Sequence, residues 1–242
     1  GAVGHMVNGM AAGVVSLFDV VAVRAGWDVV SSVCFGAAWP RNPEPMPVQT
    51  REAAEFSDYI YDKKFNDNSP EAGGLLGALG IPYEPVGGLQ AALFRGESGT
   101  FYLTARGTEL FSLEDWKTNS QQNAGERTPA YDRFLEIVDG VQDKIAQLGG
   151  TLVLTGHSLG GSLVIAGAHQ SGLPAEAFNP AYVRSTYADG QPAQIRVNVV
   201  VGDPLDLARL ARWQPPQGTM HYYRPQLCKG FTHNMGHFHD RR

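Results

Sequence analysis

The chain has 242 residues and a net charge of −5, with 19 Lys and Arg against 24 Asp and Glu; 43% of its residues are hydrophobic and 18% charged. That length supports one large domain or two small ones and folds without a metal or disulfide staple. The composition excludes a disordered chain, and the mild acidity argues against a nucleic-acid binder built on a basic footprint. Cys34 and Cys228 are the two cysteines, too few for a disulfide framework or a four-cysteine zinc site. Their spacing fits two free thiols or one bridge equally well.

In chain order, residues 10–38 are apolar and rich in Gly, Ala and Val, interrupted by Asp19, Arg24 and Asp28. They read as a packed N-terminal element, with a surface-seeking arm as the alternative. The sequence contains no run of 18 uncharged apolar residues, so no transmembrane helix is expected. Pro40, Pro43, Pro45 and Pro47 mark an extended connection. The expected division is therefore an apolar arm with its Pro-rich connection over 1–49, and one compact unit over 50–242.

Thr50 is the expected cap of a helix reaching about Phe65, with Ala53, Phe56 and Ile60 on one face. Residues 90–95 and 100–105 read as a hairpin closed by Gly-Glu-Ser-Gly. Thr128-Pro129 signals a cap and first helical position, and Tyr131, Phe134, Leu135, Val138, Val141, Ile145 and Leu148 follow at helical spacing. Gly149-Gly150 ends that helix. A short buried strand over 151–155, a helix over 159–170, and strands at 175–178, 195–201 and 220–224 complete the pattern. Helices alternating with short apolar strands indicate an α/β fold with a largely parallel sheet.

Gly156-His157-Ser158-Leu159-Gly160 fits G-x-S-x-G. It directly follows an apolar strand and opens a helix, the context a nucleophile elbow requires. The flanking glycines let strand and helix pass closely. The helix N-terminus brings N–H groups near the serine, where they can stabilise an oxyanion. A serine hydroxyl also needs a base, and the base an orienting acid. Asp203 closes the β-rich run Ile195–Val201, with Asp206 as its nearest rival and Asp189 a distant one. By chain order His233, His237 and His239 are equal candidates for the base. His157 reads as structural. The C-terminal histidines also have the spacing of a metal cluster, but no matching acidic motif accompanies them.

These residues resemble the class 3 lipase family of the α/β-hydrolase superfamily. The resemblance rests on Phe101 to Thr108 (FYLTARGT), on Asp115-Trp116 with Asn119, on GHSLGG at 156–161, and on Asp203-Pro204. It covers about residues 90–240 and implies an α/β-hydrolase fold: a mostly parallel central sheet flanked by helices, with 50–242 as the catalytic domain. It implies Ser158 as nucleophile, Asp203 as acid and His233 as base, the last because His233-x-Met235-x-x-Phe238 looks like the family's C-terminal histidine and nearby aromatic. The interval from Asp203 to His233 is short for the family, which keeps His237 as the alternative base. Thr108 and the Leu159 N–H would form the oxyanion hole. Leu110, Phe111 and Leu113 would be lid or acyl-pocket residues, or else core.

The activity so implied is serine-dependent hydrolysis of lipid carboxylic esters, of the triacylglycerol lipase or phospholipase A type, without metal or cofactor. The alternatives are a small-ester or aryl esterase and a non-catalytic partner-binding member. The implied partners are a lipid ester at an interface or micelle and, transiently, a membrane surface. An inhibitory protein partner would be expected for a toxin-like effector, and the family resemblance leans towards a secreted or exported bacterial protein.

Overall fold

The computed structural model describes residues 46–61, 74–81, 89–106, 129–183, 190–226, 233 and 235–238. Six strands form one sheet in the order β1-β2-β3-β4-β5-β6. They are β1 (Gln90–Arg95), β2 (Phe101–Arg106), β3 (Leu152–His157), β4 (Ala175–Phe178), β5 (Ile195–Val200) and β6 (Thr219–Tyr223). The first pair is an antiparallel hairpin, and every later pair is parallel. The hairpin turns at Gly99 (φ +84°), a backbone conformation that glycine adopts without steric cost. The helices are α1 (Val48–Tyr59), α2 (Gly74–Ala78), α3 (Pro129–Gln147), α4 (Leu159–Ser171) and α5 (Pro204–Ala211), with a 3₁₀ turn over Met235–Phe238. Among the described residues no helix is long and apolar enough to cross a membrane.

The order of the strands explains the layering. The parallel strands step across the sheet in one direction, and right-handed crossovers then place their helices on one face. On that face Phe134, Val138, Val141 and Ile145 of α3 and Leu163, Val164 and Ile165 of α4 pack on Leu103, Leu154, Val197 and Val199. Strand alternation turns Tyr102, Val153, Phe178, Val200 and Tyr223 to the other face. There they meet Met46, Ala53 and Ala54 from the α1 end of the chain and Met235 and Phe238 from the C-terminal turn. The second face is thus covered by segments that precede and follow the sheet.

That second face is unusually polar. Thr50 Oγ1 donates to Glu176 (2.9 Å), Tyr102 Oη donates to Glu52 (2.7 Å), and the Ser57 and Thr155 hydroxyls meet at 2.8 Å. Thr50 is therefore not the helix cap. The helix starts three residues earlier, Pro47 takes the cap position without a side-chain bond, and the Thr50 hydroxyl is spent on the sheet. The helix ends at Tyr59, and Met46 is buried. Thr128, Cys34 and Cys228 lie outside the described residues, so the expected cap and the thiol pairing do too. Elsewhere the elements follow the pattern expected from sequence, with strand ends displaced by one or two residues. Helix α5 is an addition: Asp203-Pro204 was itself the signal, a cap residue followed by proline at the first helical position.

Candidate active site

Strand β3 delivers Ser158 to the C-terminal edge of the sheet, where open α/β sheets bind their ligands. The residue sits between β3 and α4 at φ +58° and ψ −123°, a region that non-glycine residues rarely occupy. Its strain is held by neighbours. The Ser158 N–H donates to the Phe178 carbonyl (3.0 Å), and its own carbonyl accepts from Ala181 (3.1 Å). A Cβ at Gly156 would lie 2.5 Å from the Gly160 carbonyl oxygen, and one at Gly161 would lie 2.9 Å from Pro180. Both glycines are there because strand, helix and the following loop touch.

Asp203 is fully buried and caps α5. Its Oδ1 accepts from the N–H groups of Leu205 (2.9 Å) and Asp206 (3.3 Å). Its Oδ2 lies 2.7 Å from His233 Nδ1, and His233 Nε2 lies 2.9 Å from Ser158 Oγ. A carboxylate only accepts, so Nδ1–H donates to Asp203. Nε2 is then the ring's acceptor, and the serine hydroxyl donates to it. The three side chains that chain order and resemblance singled out thus stand in one hydrogen-bonded row.

The rivals have other partners. Asp206 pairs with Arg209 at 2.7 Å. Burial pushes the Asp206 carboxyl up, and the Arg209 guanidinium opposes the shift. His237 is fully buried, and its Nδ1 accepts from the Gln226 N–H at 3.0 Å. Asp189 and His239 lie outside the described residues. So do Thr108 and the lid candidates Leu110, Phe111 and Leu113, together with Asp115, Trp116 and Asn119. Leu159 opens α4, and a first-turn N–H has no acceptor within its own helix. That N–H is available in principle to a developing oxyanion beside Ser158.

Two flanking residues, Tyr61 and the Arg106 of the FYLTARGT motif, have a place here that the sequence pattern did not assign. Tyr61 sets its ring edge-on to His157 (centroids 5.9 Å apart), and the Arg106 guanidinium lies 4.8 Å from the centre of the Tyr61 ring. Arg106 also donates to the Ile60 carbonyl (3.3 Å) and to Gln90 Oε1 (2.7 Å). The available signal was parity. Arg106 on β2 and His157 on β3 both end the strand rows that face α1.

Residues 53–199, well over half of the chain, match the family model described as phospholipase-like, Tle-like phospholipase domain. The chain belongs to this family. Its mostly parallel sheet and strand–elbow–helix unit are those expected of an α/β-hydrolase fold. Among solved structures it is similar to Rhizomucor miehei lipase in its native propeptide complex, at 18% identity, 72% coverage of this chain, 67% of that one and a TM-score of 0.45. It is also similar to a triacylglycerol lipase from Penicillium expansum, at 19% identity, 57% and 66% coverage and a TM-score of 0.44. The chain spans about two thirds of the length of these lipases. No curated relative matches it.

Proposed function

We propose that this phospholipase-like domain is a serine hydrolase that cleaves carboxylic esters of lipids, with Ser158 as nucleophile, His233 as general base and Asp203 as the orienting acid. The observation that carries the reading is the single imidazole bridging Ser158 Oγ at 2.9 Å and Asp203 Oδ2 at 2.7 Å. In the first step His233 Nε2 takes the hydroxyl proton as Oγ bonds to the ester carbonyl carbon. The imidazolium then returns that proton to the departing alcohol as the carbon–oxygen bond breaks. Water attacks the acyl-enzyme, giving its proton to the same nitrogen, and the acid leaves as Oγ is reprotonated. The Leu159 N–H and Thr108 are the proposed oxyanion donors, and Leu110, Phe111 and Leu113 the proposed cover of an acyl pocket. The unit that does this is proposed to be the α/β domain beginning at α1, preceded by the N-terminal arm.

The test is hydrolysis of p-nitrophenyl esters from acetate to palmitate, followed by phospholipid and triacylglycerol substrates, with labelling by a fluorophosphonate probe. Ser158→Ala should abolish both turnover and labelling and leave the melting temperature nearly unchanged. A rate that peaks at long chains supports a lipid substrate, because a deep apolar pocket gains about 0.8 kcal/mol per buried methylene. Turnover confined to acetate and butyrate would replace lipid by small esters. More than a tenth of the rate surviving in Ser158→Ala would overturn the triad.

A further inference from the structure

Resting on that reading, we propose that His157 is a positioning residue that holds the main chain of His233, so that the base meets Ser158 at the correct distance. His157 immediately precedes the elbow serine. Strand alternation turns its side chain to the α1 face with Val153 and Thr155, away from the face covered by α3 and α4. It is buried there, and its Nε2 lies 2.8 Å from the His233 carbonyl oxygen. A carbonyl only accepts, so the proton of His157 resides on Nε2 and the bond is a donation from ring to main chain. The two imidazole rings pack against each other, centroids 4.7 Å apart, at a 41° tilt. His157 therefore holds its partner at two points, the carbonyl and the ring.

The far side of His157 is equally fixed. Tyr61 packs edge-on against it and donates its hydroxyl to the His157 carbonyl at 3.4 Å. Arg106 covers Tyr61 and ties down the Ile60 carbonyl. A column of Arg106, Tyr61, His157 and His233 thus runs from strand β2, through the end of α1, to the base. Among the described residues, the charged and titratable groups packed around His157 are Arg106 beyond Tyr61, Tyr61 itself, and His233. Burial, and the neighbouring His233 ring whenever it is charged, hold the His157 imidazole well below its usual titration range. It stays neutral while His233 cycles through its imidazolium, so it anchors the base without competing for the proton.

The same turn fixes Ser158 and the residue that positions its base. Elbow and base loop lie 76 residues apart in the chain, yet one buried donor sets their separation. A misplacement of about 1 Å at such a site costs on the order of 100-fold in rate.

The experiment compares wild type with His157→Phe, which keeps a ring but removes the donor, and with His157→Gln, whose amide nitrogen can replace Nε2. With a short soluble ester, kcat in His157→Phe should fall about 10- to 100-fold at unchanged KM. His157→Gln should regain most of that loss. Wild-type kcat in His157→Phe, or an equal loss in both variants, overturns the proposal. Nitrogen-15 NMR of the unaltered protein provides a readout that no folding defect can mask. His157 should remain neutral with its proton on Nε2 from pH 5 to 8, and a proton on Nδ1 or a ring that titrates in that range overturns the assignment. Fluorophosphonate labelling separates the two levels. An unlabelled wild type removes the parent hydrolase reading, whereas His157→Phe labelled at the wild-type rate removes this inference alone.

Discussion

Asp203 uses its two oxygens for different tasks. Oδ1 caps α5 through Leu205 and Asp206, and Oδ2 receives His233. An asparagine at this position can still cap, because its carbonyl oxygen accepts the same two N–H groups. Its amide NH₂ would face His233 Nδ1 and turn that nitrogen into an acceptor. The ring proton then moves to Nε2, where it cannot accept from Ser158. Asp203→Asn should therefore lower kcat by roughly 10⁴-fold while changing stability little. Steady-state kinetics paired with a urea melt will separate the two effects, and a stability loss matching the activity loss would mean that the cap dominates. The order of Ser158, Asp203 and the C-terminal histidines was legible from residues alone. Chain order left those histidines equal, the resemblance favoured His233, and it is the His233 ring that lies between Ser158 and Asp203.

Helix α1 shows why its own docking could not be read locally. Its apolar positions Ala53 and Ala54 do face the sheet, but Thr50 and Ser57 are buried as well. Their partners Glu176 and Thr155 lie 126 and 98 residues away in sequence. A threonine at the start of a helix looks like a cap until a buried acceptor is placed beside it. Glu176 is that acceptor, and burial pushes its carboxyl up against the opposing hydrogen bonds of Asn198 and Thr50 and the charge of Arg196. Above the ordinary glutamate value of about 4.3, and up to its raised native value, the folded chain binds more protons here than the unfolded one. Its contribution to stability is then largest at low pH and falls as pH rises through the native value. Replacing it with the neutral amide removes that dependence. The melting temperature of Glu176→Gln minus that of wild type should rise as pH climbs from the ordinary glutamate value through the raised native value, and a difference constant with pH would show that Glu176 carries no ionisation penalty.

Across the whole molecule, the sheet stacks its crossover helices on one face and leaves the other to the chain's flanks. The C-terminal turn is anchored there by Phe238, 2% exposed, whose ring meets Phe178 at 4.9 Å and Tyr223 at 5.6 Å. Phe178 ends the strand whose carbonyl also receives the Ser158 N–H. His233, the proposed base five residues before Phe238, is thus tied to the same platform as Ser158, the proposed nucleophile. Phe238→Ala should cost about 3–5 kcal/mol, the usual range for emptying a buried aromatic site. Under conditions where the variant remains folded, kcat should still fall about tenfold as the base loses its registry. Urea unfolding and initial rates test this together, and full activity in the destabilised variant would detach the turn from the chemistry.

The α/β pattern, the largely parallel sheet and the glycine-flanked serine between strand and helix can all be read from local pattern. These rest on periodicity, capping residues and steric permission, which act over a few residues. Long-range packing sets His233 between Ser158 and Asp203, buries His237 against Gln226 and turns Thr50 to Glu176. Helix α5 was written in Asp203-Pro204 but could equally be a turn, and the buried Asp203 cap decided between them. The reason is the range of the forces involved. Hydrogen bonds between distant segments depend on which groups a fold removes from water together, and the one-sided crossovers of this sheet bring its two flanking segments onto a single polar face.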